Sequence, residues 1–254
     1  MENIINLEER RIVVTGASSG IGKDTAILLS RMGAKLILVA RRKEKLCEVM
    51  DSLSGEGHAF YCADLRQINE IEDLVKTIVS QQGKLDGLVY AAGVTTPIPL
   101  MHFKPEKVRD IFDINFFGFF EMVRQMCKKG RFNEGMRIVG ISSTAATIGN
   151  KTQSVYSASK AAMDGAVRSI AKEVADKKIC INTVAPGMTA TDMYTGYLKQ
   201  NGEVSDANQK LLQRQYLGIA NTTDIANAIA YLISPAARFI TGTSLLVDGG
   251  ATSS

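Results

Sequence analysis

The sequence predicts an α/β fold: one doubly wound parallel sheet of about seven strands, with helices on both faces. Three observations carry this reading. Short β-branched apolar runs alternate with helical segments of ten or more residues, which is the pattern of βαβ units rather than hairpins. Right-handed crossovers then place helices on both sides of the sheet. The first apolar run breaks into glycines, RIVVTGASSGIG over 11–22, and reads as strand, tight loop, helix. No linker, repeat or change of composition divides the 254 residues, so a single domain spanning 1–254 is expected.

The elements follow in order. The helix opened by the glycine loop runs to about Met32, with Ile21, Ala26, Ile27, Leu28 and Leu29 on a broad apolar side and Gly33 as its stop signal. KLILVA over 35–40 is a second strand and 41–52 a polar-faced helix; 59–63 is a third strand, 70–82 a helix and 87–91 a fourth strand. A long helix over 105–129 is apolar almost all round between Ile111 and Phe120, so burial on several sides is expected there. A strand at 137–142, a helix at 156–176, a strand at 180–184, a helix at 224–233 and a strand at 244–247 complete the alternation. The irregular stretch over 188–223, rich in Met, Tyr, Gln and Asn, is too long for a passive connection and reads as a partly helical lid over a site.

With 45% hydrophobic and 22% charged residues, the chain can bury a substantial core and is neither a disordered tail nor a small disulfide-stapled module. Lys+Arg 30 against Asp+Glu 26 leaves +4, too mild a surplus to mark a nucleic-acid or membrane binder, and neither partner is expected. MENIINLEERR has no signal-peptide apolar stretch, and no run of 18 uncharged apolar residues follows, which points to a soluble cytoplasmic protein. Cys47, Cys62, Cys127 and Cys180 form no CxxC pair and read as reduced thiols. His58 and His102 are the only histidines, and neither has a second ligand at metal spacing, so a metal site and a Ser-His-Asp triad are both poorly supported.

Gly16, Gly20 and Gly22 make chemical sense in a strand-loop-helix unit. Lacking Cβ, they permit positive φ and a close approach of backbone to a diphosphate, which N–H groups at the helix start then bind. The spacing is GxxxGxG rather than GxGxxG, and an ordinary turn would also use such glycines, but the strand-to-helix context favours a Rossmann-type dinucleotide loop. About twenty residues on, where such a fold reads the adenosine ribose, the chain has Ala40-Arg41-Arg42 and no carboxylate. A carboxylate would repel a 2′-phosphate, whereas Arg41 can pair with one, so NADPH is favoured over NADH. A solvated helix start would also explain the two arginines. YSASK over 156–160 places a phenol and an ammonium four residues apart on one helical face. A free phenol titrates near ~10, and a cation beside it lowers that value, making Tyr156 a candidate acid/base.

With these residues in view, the sequence resembles the short-chain dehydrogenase/reductase family over nearly its full length. TGASSGIG over 15–22 is similar to the family's cofactor loop, Asp64-Leu65 to its adenine-side motif, YAAG over 90–93 to its NNAG motif, and Pro186-Gly187 to the motif after the sixth strand. The resemblance implies a catalytic set of Asn115, Ser143, Tyr156 and Lys160, Ser143 standing thirteen residues before Tyr156. In that set Tyr156 protonates the substrate oxygen as NADPH delivers hydride, Ser143 holds that oxygen, Lys160 bonds the nicotinamide ribose and acidifies Tyr156, and Asn115 holds a water that links Lys160 to solvent. The implied cofactor contacts are Gly16, Ser18, Ser19, Gly20, Ile21, Gly22, Arg41, Arg42, Asp64, Leu65, Ala91, Ala92, Gly93, Tyr156, Lys160, Pro186, Gly187, Met188 and Thr189.

Three departures stand out. Tyr90 replaces the first Asn of NNAG, so the side-chain tie from the fourth strand is lost or remade by the phenol. Ser19 stands where many NADPH-dependent members carry a basic residue, which leaves more of the phosphate recognition to Arg41 and Arg42. YLGIAN over 216–221 replaces PLGRxG.

Among branches, the pattern resembles bacterial 3-oxoacyl-acyl-carrier-protein reductases and the undifferentiated reductases near them. An acidic carrier calls for a basic patch, for which Arg124, Lys128, Lys129 and Arg131, with Arg168 and Lys172, are candidates; a solvated helical face would look the same. The alternatives are a reductase of a sugar, steroid or other small ketone, suited to the polar lid residues Thr189, Thr191, Tyr194, Tyr197 and Asn201, and a nucleotide-binding regulatory protein without turnover. Met188, Met193 and Leu198 supply apolar wall. The resemblance further implies a homotetramer, or a homodimer, paired through the long helices.

Overall fold

Alternation within each strand decides how the sheet is covered. In β1 (Arg11–Thr15), Val13 packs into one hydrophobic cluster, while Ile12 and Val14 pack into a second on the opposite face. The same division holds in β2 (Lys35–Ala40), β4 (Leu85–Tyr90) and β5 (Phe132–Ile141), where Ile37, Leu88 and Ile138 face one way and Leu38, Val89 and Val139 the other. With β3 (Ala59–Cys62), β6 (Cys180–Pro186) and β7 (Ser244–Val247) they form one sheet in the order β3-β2-β1-β4-β5-β6-β7, every neighbouring pair parallel. The computed structural model describes residues 5–195 and 213–253.

Helices cover both faces, as a doubly wound sheet requires. On one side lie α1 (Gly20–Arg31) and α2 (Lys43–Met50), with Ala26, Leu29, Leu46 and Val49 buried. On the other lies α3 (Ile71–Gln82), through Val75 and Ile78.

The segment read as one helix over 105–129 is α4 (Pro105–Phe112), a π-helical turn (Asp113–Phe117) and α5 (Gly118–Met126). The π turn has a visible tertiary partner. Tyr90 Oη donates to the Ile114 carbonyl at 2.7 Å, and a Cβ on Gly118 would stand 2.6 Å from that oxygen, so only glycine admits the phenol. Burial is also one-sided: Ile111, Ile114 and Phe119 are inside, while Phe117 and Phe120 are 46% and 41% exposed and stack with Phe112 and Phe116 on the outer side.

After β5 come α6 (Ala145–Ile148) and α7 (Ser154–Glu173), the latter burying Met163 and Val167 on the α3 side. β5 begins before residue 137 because a register shift between Leu85 and Gly87 lets Phe132 pair with Leu85. α8 (Thr222–Ile233) covers the α1 side through Ile225 and Ile229; its first turn is closed by the Asn221 N–H donating to Asp224 Oδ2 at 2.8 Å. Among the described residues no helix is long and apolar enough to cross a membrane.

Candidate active site

Strand order reverses between β1 and β4, and at the carboxyl ends of the strands there the loops part around a cavity of about 540 Å³. Every residue singled out above as a cofactor contact lines it. Gly16 has φ +65°, and a Cβ there would stand 2.7 Å from Ala91 O and Ala92 N; a Cβ on Gly22 would stand 2.5 Å from Gly16 O. The loop therefore seats directly on the segment after β4, a closeness that only glycine allows. Ser19, extended before α1, makes no side-chain cap, and the first turn of α1 carries no acid, so the helix start offers backbone N–H groups to the cavity. Thr95 adds a buried hydroxyl without a hydrogen-bond partner. A glycine cradle, an uncapped helix start and an orphaned hydroxyl fit a dinucleotide diphosphate and its neighbouring groups.

At the adenosine end, the Arg42 guanidinium donates to Ser18 Oγ and Ser19 Oγ, both at 2.9 Å. The cation that Ser19 lacks is thus brought to the loop by Arg42. Arg41 NH1 stands 3.9 Å from Asp64 Oδ2, and Arg66 Nε lies 3.0 Å from both Asp64 oxygens. Arg66, and more weakly Arg41, hold the Asp64 carboxyl below the usual carboxylate range. Arg66 also lines the cavity; the DLR run gave no sign of it, because the Asp64–Arg66 contact forms only once the chain turns after β3.

On the opposite side of the cavity, the β5–β6 ladder continues beyond β5, with the Ser142 N–H on Val184 O at 2.8 Å and the Thr144 N–H on Pro186 O at 3.0 Å. Ser143 is held between them, its Oγ accepting from the Ala145 N–H at 3.1 Å, and it lines the cavity with Tyr156. Lys160 is buried, donates to the Ile141 carbonyl at 2.7 Å and lies 5.8 Å from the centroid of the Tyr156 ring. Burial pushes Tyr156 above an ordinary phenol, against the pull of Ser143; burial also lowers Lys160 to about 8, opposed by Asp164.

Asn115 does not line the cavity. It lies fully buried behind it in the π turn, its Oδ1 accepting from the Val94 N–H at 2.9 Å and its Nδ2 donating to Val94 O and Ser159 Oγ, both at 3.0 Å. A Cβ on Gly93 would stand 3.1 Å from Asn115 Oδ1 and 3.3 Å from Lys160 Nζ, so the two polar groups close on one point behind the loop.

The two ends of the lid segment are stitched together. Gln215, buried and unremarked in the sequence, accepts from the Met188 N–H at 2.8 Å and donates to Met188 O at 2.9 Å, while the Ala190 N–H bonds Ala220 O at 2.9 Å. Met188, Thr189, Thr191, Met193 and Tyr194 line the cavity. The middle of the segment, with Tyr197, Leu198 and Asn201, lies outside the described residues. The basic patch is partly neutralised: Arg124 pairs with Glu121 at 2.6 Å, and Lys128 and Arg131 with Glu72 at 3.3 and 3.7 Å, whereas Lys129, Arg168 and Lys172 are exposed.

A family model described as enoyl-(acyl carrier protein) reductase matches residues 16–252, and the chain belongs to the short-chain dehydrogenase/reductase family. It is an NAD(P)-dependent oxidoreductase acting on CH–OH or C=O groups. The 3-oxoacyl-[acyl-carrier-protein] reductase of Vibrio cholerae is 36% identical across 97% of this chain and 98% of its own. Carbonyl reductase family member 4 of Danio rerio is 34% identical across 95% and 97%. A dehydrogenase/reductase structure from Sinorhizobium meliloti 1021 superposes with TM-score 0.86 at 32% identity, covering 98% of this chain and 97% of that one.

Proposed function

We propose that the protein is an NADPH-dependent carbonyl reductase of the 3-oxoacyl-carrier-protein reductase type. The observation that carries the reading is the convergence of Ser143, Tyr156, Lys160 and the glycine loop on one cavity. The bound nicotinamide cofactor supplies hydride. Tyr156 gives its proton to the carbonyl oxygen, which burial favours by keeping the phenol protonated at neutral pH. Ser143 holds and orients that oxygen. Lys160 places a cation behind the phenol and bonds the cofactor ribose, and Asn115, tied to Val94 and Ser159, keeps the water path behind Lys160 in place. Arg41, with Arg42 over Ser18 and Ser19, takes the 2′-phosphate, and Met188, Thr191, Met193 and Tyr194, held by the Gln215 clasp, wall the substrate side.

The carrier reading rests on the names of the relatives and on exposed Lys129, Arg168 and Lys172. The pairing of Arg124, Lys128 and Arg131 with Glu121 and Glu72 favours a second reading, a small free ketone as substrate. Four free cysteines suit work in the cytoplasm, and the exposed Phe117 and Phe120 suit a homotetramer built on that face. Initial rates with NADPH and NADH, on a 3-oxoacyl thioester carried by acyl carrier protein, on its pantetheine analogue and on small ketones, test the reading. The expected result is NADPH-dependent turnover with a lower KM for the carrier-bound substrate. Equal KM values for carrier and analogue overturn carrier docking, and a tenfold preference for NADH overturns the cofactor assignment.

A further inference from the structure

We propose that Asp164 is a positioning residue of the catalytic centre: its carboxylate ties the helix carrying Tyr156 and Lys160 to the strand end carrying Ser143, and supplies the counter-charge for the buried Lys160 ammonium. The proposal rests on the assignment of the chemistry to Tyr156 and Lys160 made above.

Asp164 stands one turn beyond Lys160 on α7, where residues four apart share a face. Each of its oxygens receives a hydroxyl from a different strand: Oδ2 from Ser142 at 2.9 Å and Oδ1 from Thr183 at 2.7 Å. Both donors are buried, at 2% and 0% exposure. Ser142 immediately precedes Ser143, and Thr183 pairs with Gly140 in the β5–β6 ladder. One side chain thus joins α7, the end of β5 and β6, and sets how far Ser143 stands from Tyr156.

The charge has its own consequence. Lys160 is 4% exposed, and the hydrogen-bond acceptor beneath it, Ile141 O, is neutral. The charged or titratable groups around this point are Tyr156, Lys160 and Arg168, all on α7, the last of them exposed; β5 and β6 present the Ser142 and Thr183 hydroxyls, and the π turn presents the Asn115 amide. Asp164 is therefore the anion that opposes the desolvation of Lys160. A neutral amide or hydroxyl at 164 could also satisfy two hydroxyls, which can accept as well as donate. A half-buried carboxylate, itself pushed towards the protonated form by burial, makes sense where its charge is used.

The sign follows. Reduction needs Tyr156 protonated and Lys160 charged, and both conditions fail as pH rises. Without the Asp164 charge Lys160 releases its proton at lower pH, which moves the alkaline limb of kcat downward.

The test is the pH dependence of kcat for NADPH-driven reduction in wild type, Asp164→Asn, Asp164→Ser and Asp164→Glu, with NADPH affinity measured by fluorescence. The neutral variants should lower the alkaline limb by about one pH unit, a tenfold change in proton affinity, with NADPH affinity within about twofold of wild type. Asp164→Glu should keep the wild-type limb at reduced kcat. A folded, cofactor-binding neutral variant with an unmoved limb overturns the proposal. Should neither neutral variant fold, Ser142→Ala decides: a fall in kcat of about tenfold at unchanged NADPH affinity is expected, and unchanged kcat overturns the positioning role. Tyr156→Phe serves as the control, since its retained activity would overturn the underlying assignment rather than the role of Asp164.

Discussion

Replacing Tyr90 by Phe removes one oxygen from the centre of the molecule. The ring is fully buried and packs edge-on against Phe119, with centroids 5.5 Å apart at 71°, contacts that Phe retains. What is lost is the 2.7 Å hydrogen bond to Ile114 O, one residue before Asn115 in the π turn. A buried carbonyl deprived of a partner costs about 1–3 kcal/mol, and no ring-sized void is created to add to it. We expect Tyr90→Phe to be destabilised by about 2 kcal/mol, which at about 2–4 °C per kcal/mol for a chain of this size lowers Tm by roughly 4–8 °C. Tyr90 does not line the cavity, so KM for NADPH should stay unchanged while kcat falls through Asn115. Tyr90→Asn, which restores the family's residue but deletes the ring, should cost more, about 3–5 kcal/mol. Calorimetry with parallel steady-state rates checks this. A Tyr90→Phe protein with the stability and kcat of the wild type would refute the assignment of the π turn to the phenol.

Three further outcomes are expected. Gly16→Ala forces a Cβ to within 2.7 Å of the Ala91–Ala92 backbone at φ +65°, and titration calorimetry should find NADPH binding lost or weakened at least tenfold. Arg41→Ala and Arg42→Ala should each lower kcat/KM for NADPH by about 10–100-fold and leave NADH nearly unaffected, because a charge-assisted bond to phosphate contributes about 1.5–3 kcal/mol. Lys160→Met should abolish turnover yet stabilise the fold at neutral pH. The fall of Lys160 from 10.5 to about 8 corresponds to a burial cost of about 3 kcal/mol. Because the folded value is depressed, that cost is present in full below pH 8 and fades as pH rises towards 10.5, where the unfolded chain also sheds the proton. Denaturant unfolding at pH 7 and pH 10 should therefore show the stability gap between variant and wild type narrowing.

What could be read from the sequence was local. Strand alternation, the glycine loop and the Tyr156–Lys160 spacing depend on residues near one another in the chain, and the seven parallel strands and the cavity lining follow from them. The π turn could not be read, because its visible partner, the Tyr90 phenol, comes from β4 and needs the space left by Gly118. Asp164 and Gln215 were passed over for the same reason: their partners lie 19 or 22 and 27 residues away. Spacing alone carries no information on the burial that shifts Tyr156 and Lys160. Four residues on a helix put the groups on one face, but burial raises Tyr156 and lowers Lys160, with Ser143 and Asp164 opposing it.

The proposed function requires Tyr156 as the proton donor in a carbonyl reduction. The most direct measurement is NADPH oxidation by wild type and Tyr156→Phe on the substrate that the wild type turns over best, with NADPH binding measured on both. A loss of kcat of about 10²–10⁴-fold is expected, the usual contribution of a general acid, with NADPH affinity preserved within about twofold. Turnover by Tyr156→Phe within tenfold of wild type would contradict it.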